Sequence, residues 1–218
     1  MADSAKPRKR VLLTLVGLAI VLGIPELGLG ERIAPGRGIA SLLIHEGVWW
    51  VLIAILVGYV VFAERRPLSS IGLRRPDWKT FVFAVPVGVL MVAILLVSYT
   101  VIFPALGLKA NAGAMSNILH TPWWYRFLLV TRAAVAEETI YRAYPIERVS
   151  GLTGSRAAGL AVSVIAFTAA HYSYWGWAQL LPVAAGGLLL GLYYLWRRDL
   201  VSNMIAHFVA DGSGFLLS

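Results

Sequence analysis

An all-α fold, a polytopic helical membrane bundle of about seven transmembrane helices, follows from three observations on this 218-residue sequence. Hydrophobic residues make up 59% and charged residues 14%, with a mean hydropathy of +0.74, whereas soluble domains are roughly half apolar and about a quarter charged. The apolar residues come in runs of about 20, the length that spans a bilayer core. Short segments holding Pro, Gly, Ser and charge separate the runs. Such spans use up residues 1–218 as a single membrane domain and leave no room for a separate soluble one.

The first run, Val11 to Ile24, follows Lys6-Pro7-Arg8-Lys9-Arg10 and is interrupted at Pro25-Glu26. No small-x-small cleavage site comes directly after it, so it reads as an uncleaved first helix rather than a signal-peptide core. Later spans fall at 39–63, 79–104, 122–149, 156–174, 177–196 and 199–217. The fourth is the least apolar, because it holds Arg126, Arg132, Glu137, Glu138 and Arg142. An ionisable group within a span costs a few kcal/mol, on the order of 3 at the helix centre, so it points by default to function. The fourth span is where the chemistry is expected.

Loop charge sets the orientation. Lys6, Arg8, Lys9, Arg10, Arg65, Arg66, Arg74, Arg75, Lys79, Arg148, Arg156, Arg197 and Arg198 fall on one side, 13 in all, against Arg32, Arg37 and Lys109 on the other. The positive-inside rule then puts the amino terminus in the cytoplasm. One more or one fewer internal span would mix the two sets. A net charge of +8 suggests nucleic acid in a soluble protein, but these basic residues sit between apolar runs, where anionic lipid headgroups are the nearer partners. Nucleic acid is therefore not an expected partner. The absence of cysteine removes disulfides, thiolate catalysis and Cys-based zinc sites. No internal repeat of the inverted-transporter kind is present. Compactness points to a prokaryotic plasma membrane.

On a helix, positions four apart share a face, so Glu138 can pair with Arg142, while Glu137 lies about 100° round and shares a face with Tyr141. One carboxylate is then neutralised and one left free, which makes Glu137 the better candidate base. The alternative is a structural ion-pair cluster that fixes helix packing. His171 shares a face with Phe167, and His207 with Asn203 and Asp211. At about 1.5 Å per residue, Glu137, His171 and His207 lie at depths that ordinary helix tilt brings together near mid-membrane.

Glu137-Glu138-x-x-x-Arg142, then Phe167-x-x-x-His171, then His207-x-x-x-Asp211 resembles the three-motif pattern of the CAAX-protease and bacteriocin-processing family of intramembrane endopeptidases. The resemblance covers about 122–217 and implies that this stretch is the motif-bearing catalytic core. It implies peptide-bond hydrolysis in the membrane on a peptide or membrane-anchored protein, with no cofactor. Glu137 and His171 would activate water, His207 and residue 211 would stabilise the oxyanion, and Glu138 and Arg142 would support the site, with Asn203, Phe167 and Tyr141 beside them. A prenylated substrate is not implied.

The chain departs from the family pattern twice. Asp211 stands where Asn is usual, and an ionised carboxylate cannot donate to an oxyanion; either Asp211 carries a proton, or it orients His207, or Asn203 supplies the donor. Tyr141-Arg142-Ala143 stands where Phe-Arg-Gly is common. A zinc-dependent protease is an alternative, since carboxylates and imidazoles are ligands, but His45-Glu46 is followed by Gly47-Val48-Trp49, without the second histidine of His-Glu-x-x-His. His45 and Glu46 read as interfacial. Asp211-Gly212-Ser213-Gly214 is not a serine elbow. A non-enzymatic immunity or scaffolding protein, binding a peptide in the same cavity, is the third reading. Aromatic clusters at Trp49-Trp50, Trp123-Trp124-Tyr125 and Tyr172 to Trp177 read as interfacial belts at span ends.

Overall fold

The computed structural model describes residues 5–217, with side chains from residue 8 onward; the charge of Lys6 therefore lies outside the described side chains. The described residues form helices and turns without strands. In order they are α1 (Ala5–Gly23), α2 (Leu29–Ile33), α3 (Ile39–Gly58), α4 (Trp78–Val97), α5 (Phe103–Ala105), α6 (Ala112–Leu119), α7 (Trp123–Glu137), α8 (Tyr144–Thr153), α9 (Arg156–Ala170), α10 (Tyr172–Trp175), α11 (Leu180–Arg197) and α12 (Leu200–Phe215). Widened π turns extend α3 through Tyr59–Ala63 and α4 through Ser98–Ile102, and join α7 to α8 through Glu138–Ala143.

Five helical stretches are long and apolar enough to cross a membrane by length and composition: Arg8–Leu27, Ile39–Ala63, Trp78–Ala105, Arg156–Trp175 and Leu180–Arg197. The two that bear the glutamates and His207 fall short of that standard. The rod from Trp123 to Thr153 carries too many ionisable side chains, and α12 has only 16 residues. An apolar outer face suits a lipid surrounding: Phe81, Val85, Val89 and Leu96 of α4 are all exposed.

The inner packing rests on small residues and capped helix starts. α4 lies against α12 at Gly88, where an added Cβ would sit 2.6 Å from Val209 Cβ and 2.7 Å from the Ala206 carbonyl oxygen. Such close approach is how membrane helices gain packing where lipid removes the hydrophobic drive. Asp77 caps α4 by accepting from the Thr80 amide, and the Thr80 hydroxyl oxygen in turn accepts from the Asp77 amide. Asp199 caps α12 through the Ser202 amide. The two caps are joined, because Thr80 Oγ1 donates to Asp199 at 2.8 Å and Ser202 Oγ donates to the Thr80 carbonyl at 2.8 Å. These bonds set the axial register of α12, and with it the height of His207.

One correction concerns Arg148, counted above as a cytoplasmic loop charge. It is buried, donating to both Glu64 oxygens and to Ser70 while Tyr144 also donates to Glu64. The ion pair ties the end of the α3 rod to α8. Around it the apolar core gathers Leu56, Val60, Ile140, Tyr144, Ile146 and Tyr194.

Candidate active site

Three rods deliver the motif residues to one place. The α7 to α8 rod brings Glu137, Glu138 and Arg142, α9 ends at His171, and α12 carries Asn203, His207 and Asp211. The π turn at Glu138–Ala143 is a device often found where helices serve function.

Glu138 is fully buried and its oxygens are taken. His207 Nδ1 lies 2.9 Å from Oε1 and Asn203 Nδ2 donates to Oε2 at 3.1 Å. The expected Glu138 to Arg142 pair is therefore looser than α-helical spacing implies: Arg142 Nε stands 4.0 Å from Glu138 Oε2. The widened turn and the rival donors account for that. Arg142, also fully buried, rests its guanidinium on the Phe167 ring, 3.6 Å from the centroid. None of its three nitrogens has a hydrogen-bond partner among the described residues. Gly187 on α11 makes room here, since a Cβ would meet Phe167 at 3.0 Å and Arg142 at 3.4 Å.

Glu137 differs from its neighbour. Its side chain keeps 14% exposure and its ionisable neighbours stand just beyond hydrogen-bond distance: His171 Nε2 at 3.8 Å and His207 Nε2 at 3.9 Å from Oε2, and Arg132 Nη1 at 3.7 Å from Oε1. His171 Nδ1 faces the Phe167 carbonyl oxygen at 2.7 Å. In a neutral ring that contact puts the hydrogen on Nδ1 and leaves the Nε2 lone pair facing Glu137. His207 Nε2 also has Asp211 Oδ2 at 3.4 Å.

Asn203 does not have the free donor considered for it from sequence. It is fully buried, and its Nδ2 donates to both Glu138 and the Leu190 carbonyl; it holds Glu138 in place. Tyr141 is buried with its ring 5.9 Å from Phe167, and its backbone carbonyl accepts from Ser163 Oγ. Among the described residues no group of three His, Asp or Glu side chains has the spacing of a metal site, and the Arg132 cation stands 3.7 Å from Glu137.

Sequence reasoning passed over two residues that touch this site. In the sequence Arg132 is only a charge in the fourth span and Glu46 reads as interfacial; in the structure Glu46 is buried and bonded to Arg132 and Tyr125. The available signal was a carboxylate embedded in the otherwise apolar run from Ile39 to Gly58.

A family model described as Rce1-like, type II CAAX prenyl endopeptidase Rce1-like, matches residues 119–213. That stretch holds every motif residue and omits α1, α3 and α4. No curated protein matches the chain, and no solved structure does. With its apolar helices, the match supports an integral membrane protein acting on a peptide or protein substrate in a membrane. The motif-bearing stretch is thus Rce1-like, in keeping with the CAAX-protease family of intramembrane endopeptidases.

Proposed function

We propose that this chain hydrolyses a peptide bond of a membrane-associated peptide or protein with water activated by Glu137 and His171, without a metal ion. One observation carries the reading: Glu137 Oε2 faces imidazole nitrogens from two other helices at 3.8 and 3.9 Å. A water between Glu137 and His171 has two acceptors for its hydrogens, which leaves a lone pair to attack the carbonyl carbon. Glu137 takes a proton during attack and returns it to the leaving amine.

His207 is the oxyanion donor in this reading. Its Nδ1–H is spent on Glu138, so Nε2–H is the group left over on the side of Glu137 and Asp211, and the ring then carries both hydrogens. Asp211 acts as a charge partner of that imidazolium rather than as a donor. A single donor at the developing charge contributes about 10²- to 10³-fold. The amino terminus is cytoplasmic and the membrane a prokaryotic plasma membrane in this proposal, on the strength of the loop charges and the compact chain.

The test compares the parent with Glu137→Gln in liposomes containing a library of membrane-anchored peptides, with products read by mass spectrometry. Loss of general-base catalysis predicts a fall of about 100-fold or more with an unchanged melting temperature. A parent that binds a peptide without turnover would favour the scaffolding alternative, and equal cleavage by the variant would remove Glu137 from the mechanism.

A further inference from the structure

Glu46 lies on α3, outside the matched family stretch, yet it is connected to the proposed base. Only 6% of it is exposed. Arg132 donates to it side-on, Nε to Oε2 at 2.8 Å and Nη2 to Oε1 at 3.2 Å, and the Tyr125 hydroxyl donates to Oε1 at 3.2 Å. Two-point arginine to carboxylate contact is among the stronger ion pairs. Trp49, three residues further along α3, lies under the same guanidinium, with its ring centroid 5.2 Å away. The nitrogen left over, Nη1, stops 3.7 Å from Glu137 Oε1.

An arginine this close to a second carboxylate, in a medium of low dielectric, closes onto it when nothing competes. Glu137 would then hold its lone pairs against a guanidinium and could no longer take a proton from water. We propose that Glu46 is a positioning residue that holds Arg132 off Glu137 and so keeps the base available, an inference that rests on Glu137 being that base. The other charged or titratable groups facing Glu137 are Arg142 and Tyr141 on its own rod, His171 on α9 and His207 on α12. Asp211 acts on it through His207, and Glu26 through Tyr141. Unlike these groups, Arg132 has a rival carboxylate that takes two of its nitrogens.

The restraint is tested without turnover by reacting the whole protein in detergent with dicyclohexylcarbodiimide, a membrane-permeant reagent for carboxyl groups outside direct ion pairs. Modification of the Glu137 peptide is followed by mass spectrometry. Glu46→Gln should slow it by roughly tenfold, the scale of coupling between contacting charges. Glu46→Gln combined with Arg132→Gln should restore the parent rate, an outcome that loss of packing does not produce. A single variant that labels as fast as the parent, or a double variant as slow as the single, overturns the proposal. Should Glu46→Gln fail to fold, Arg132→Gln decides: labelling at or above the parent rate supports the restraint, and slower labelling overturns it. On a peptide the parent cleaves, the same variants should change kcat in parallel and leave KM alone. A parent that cleaves nothing sinks the reading of Glu137 as base, while the labelling still reports on the restraint.

Discussion

Replacing Glu138 by glutamine removes a charge from the most buried part of the site. Glu138 and Arg142 are both fully buried, Glu138 accepts from His207 and Asn203, and Arg142 has no hydrogen-bond partner among the described residues to fall back on. Its nearest carboxylate is Glu138, 4.0 Å away. Leaving one member of a buried pair uncompensated costs about 3–5 kcal/mol. For a chain of this length each kcal/mol moves the melting temperature by about 2–4 °C, so Glu138→Gln should melt roughly 6–20 °C below the parent. Glu138→Gln with Arg142→Gln should recover part of that loss, with a coupling of about 0.5–3 kcal/mol. Thermal melts in mild detergent, read by the fluorescence of the eight tryptophans, measure both. If Glu138→Gln melts within about 2 °C of the parent, or if the two substitutions simply add, the electrostatic account of the pair is wrong.

Asp211→Asn keeps a hydrogen-bonding group 3.4 Å from His207 Nε2 and supplies a donor, so cleavage should stay within about tenfold of the parent, whereas Asp211→Leu should lose about 100-fold in a peptide-cleavage assay. Gly88→Ala forces a methyl group to 2.6 Å from Val209 Cβ; overpacking of this kind costs about 1–3 kcal/mol and should show as a lower melting temperature. Because the chain has no cysteine, Arg37→Cys and Arg66→Cys give clean single-thiol proteins. An impermeant maleimide applied to intact cells should label the first and spare the second, and the reverse result would invert the proposed orientation.

Much of the architecture is legible in local composition. The helix starts at Trp78 and Leu200 follow Asp77 and Asp199, and both aspartates cap as their position suggests. Residues 39–63 read as one apolar run, and α3 with its π turn covers the same residues. Glu137, His171 and His207, which the structure brings together, stand out in the sequence because charge in an apolar segment is conspicuous whatever the tertiary structure. What stayed hidden depends on contacts between distant residues. Arg132 and Glu46 are 86 positions apart, so no periodicity relates them, and Arg148 looked like a loop charge because its partner Glu64 belongs to another rod. The π turn after Glu137 escaped for a different reason. It changes the angular step of the helix without any change of residue type, so faces counted at 3.6 residues per turn overstated the closeness of Glu138 and Arg142.

On the proposed function, the seam at Gly88 also bears on where a substrate would enter. With the Ala206 carbonyl and Val209 less than 3 Å from where a side chain would begin, and with Thr80 and Asp199 latched at one end, that flank of the barrier has no slack for a hinge. In that reading a substrate would enter at another part of the perimeter, and this seam would hold His207 at its height on α12.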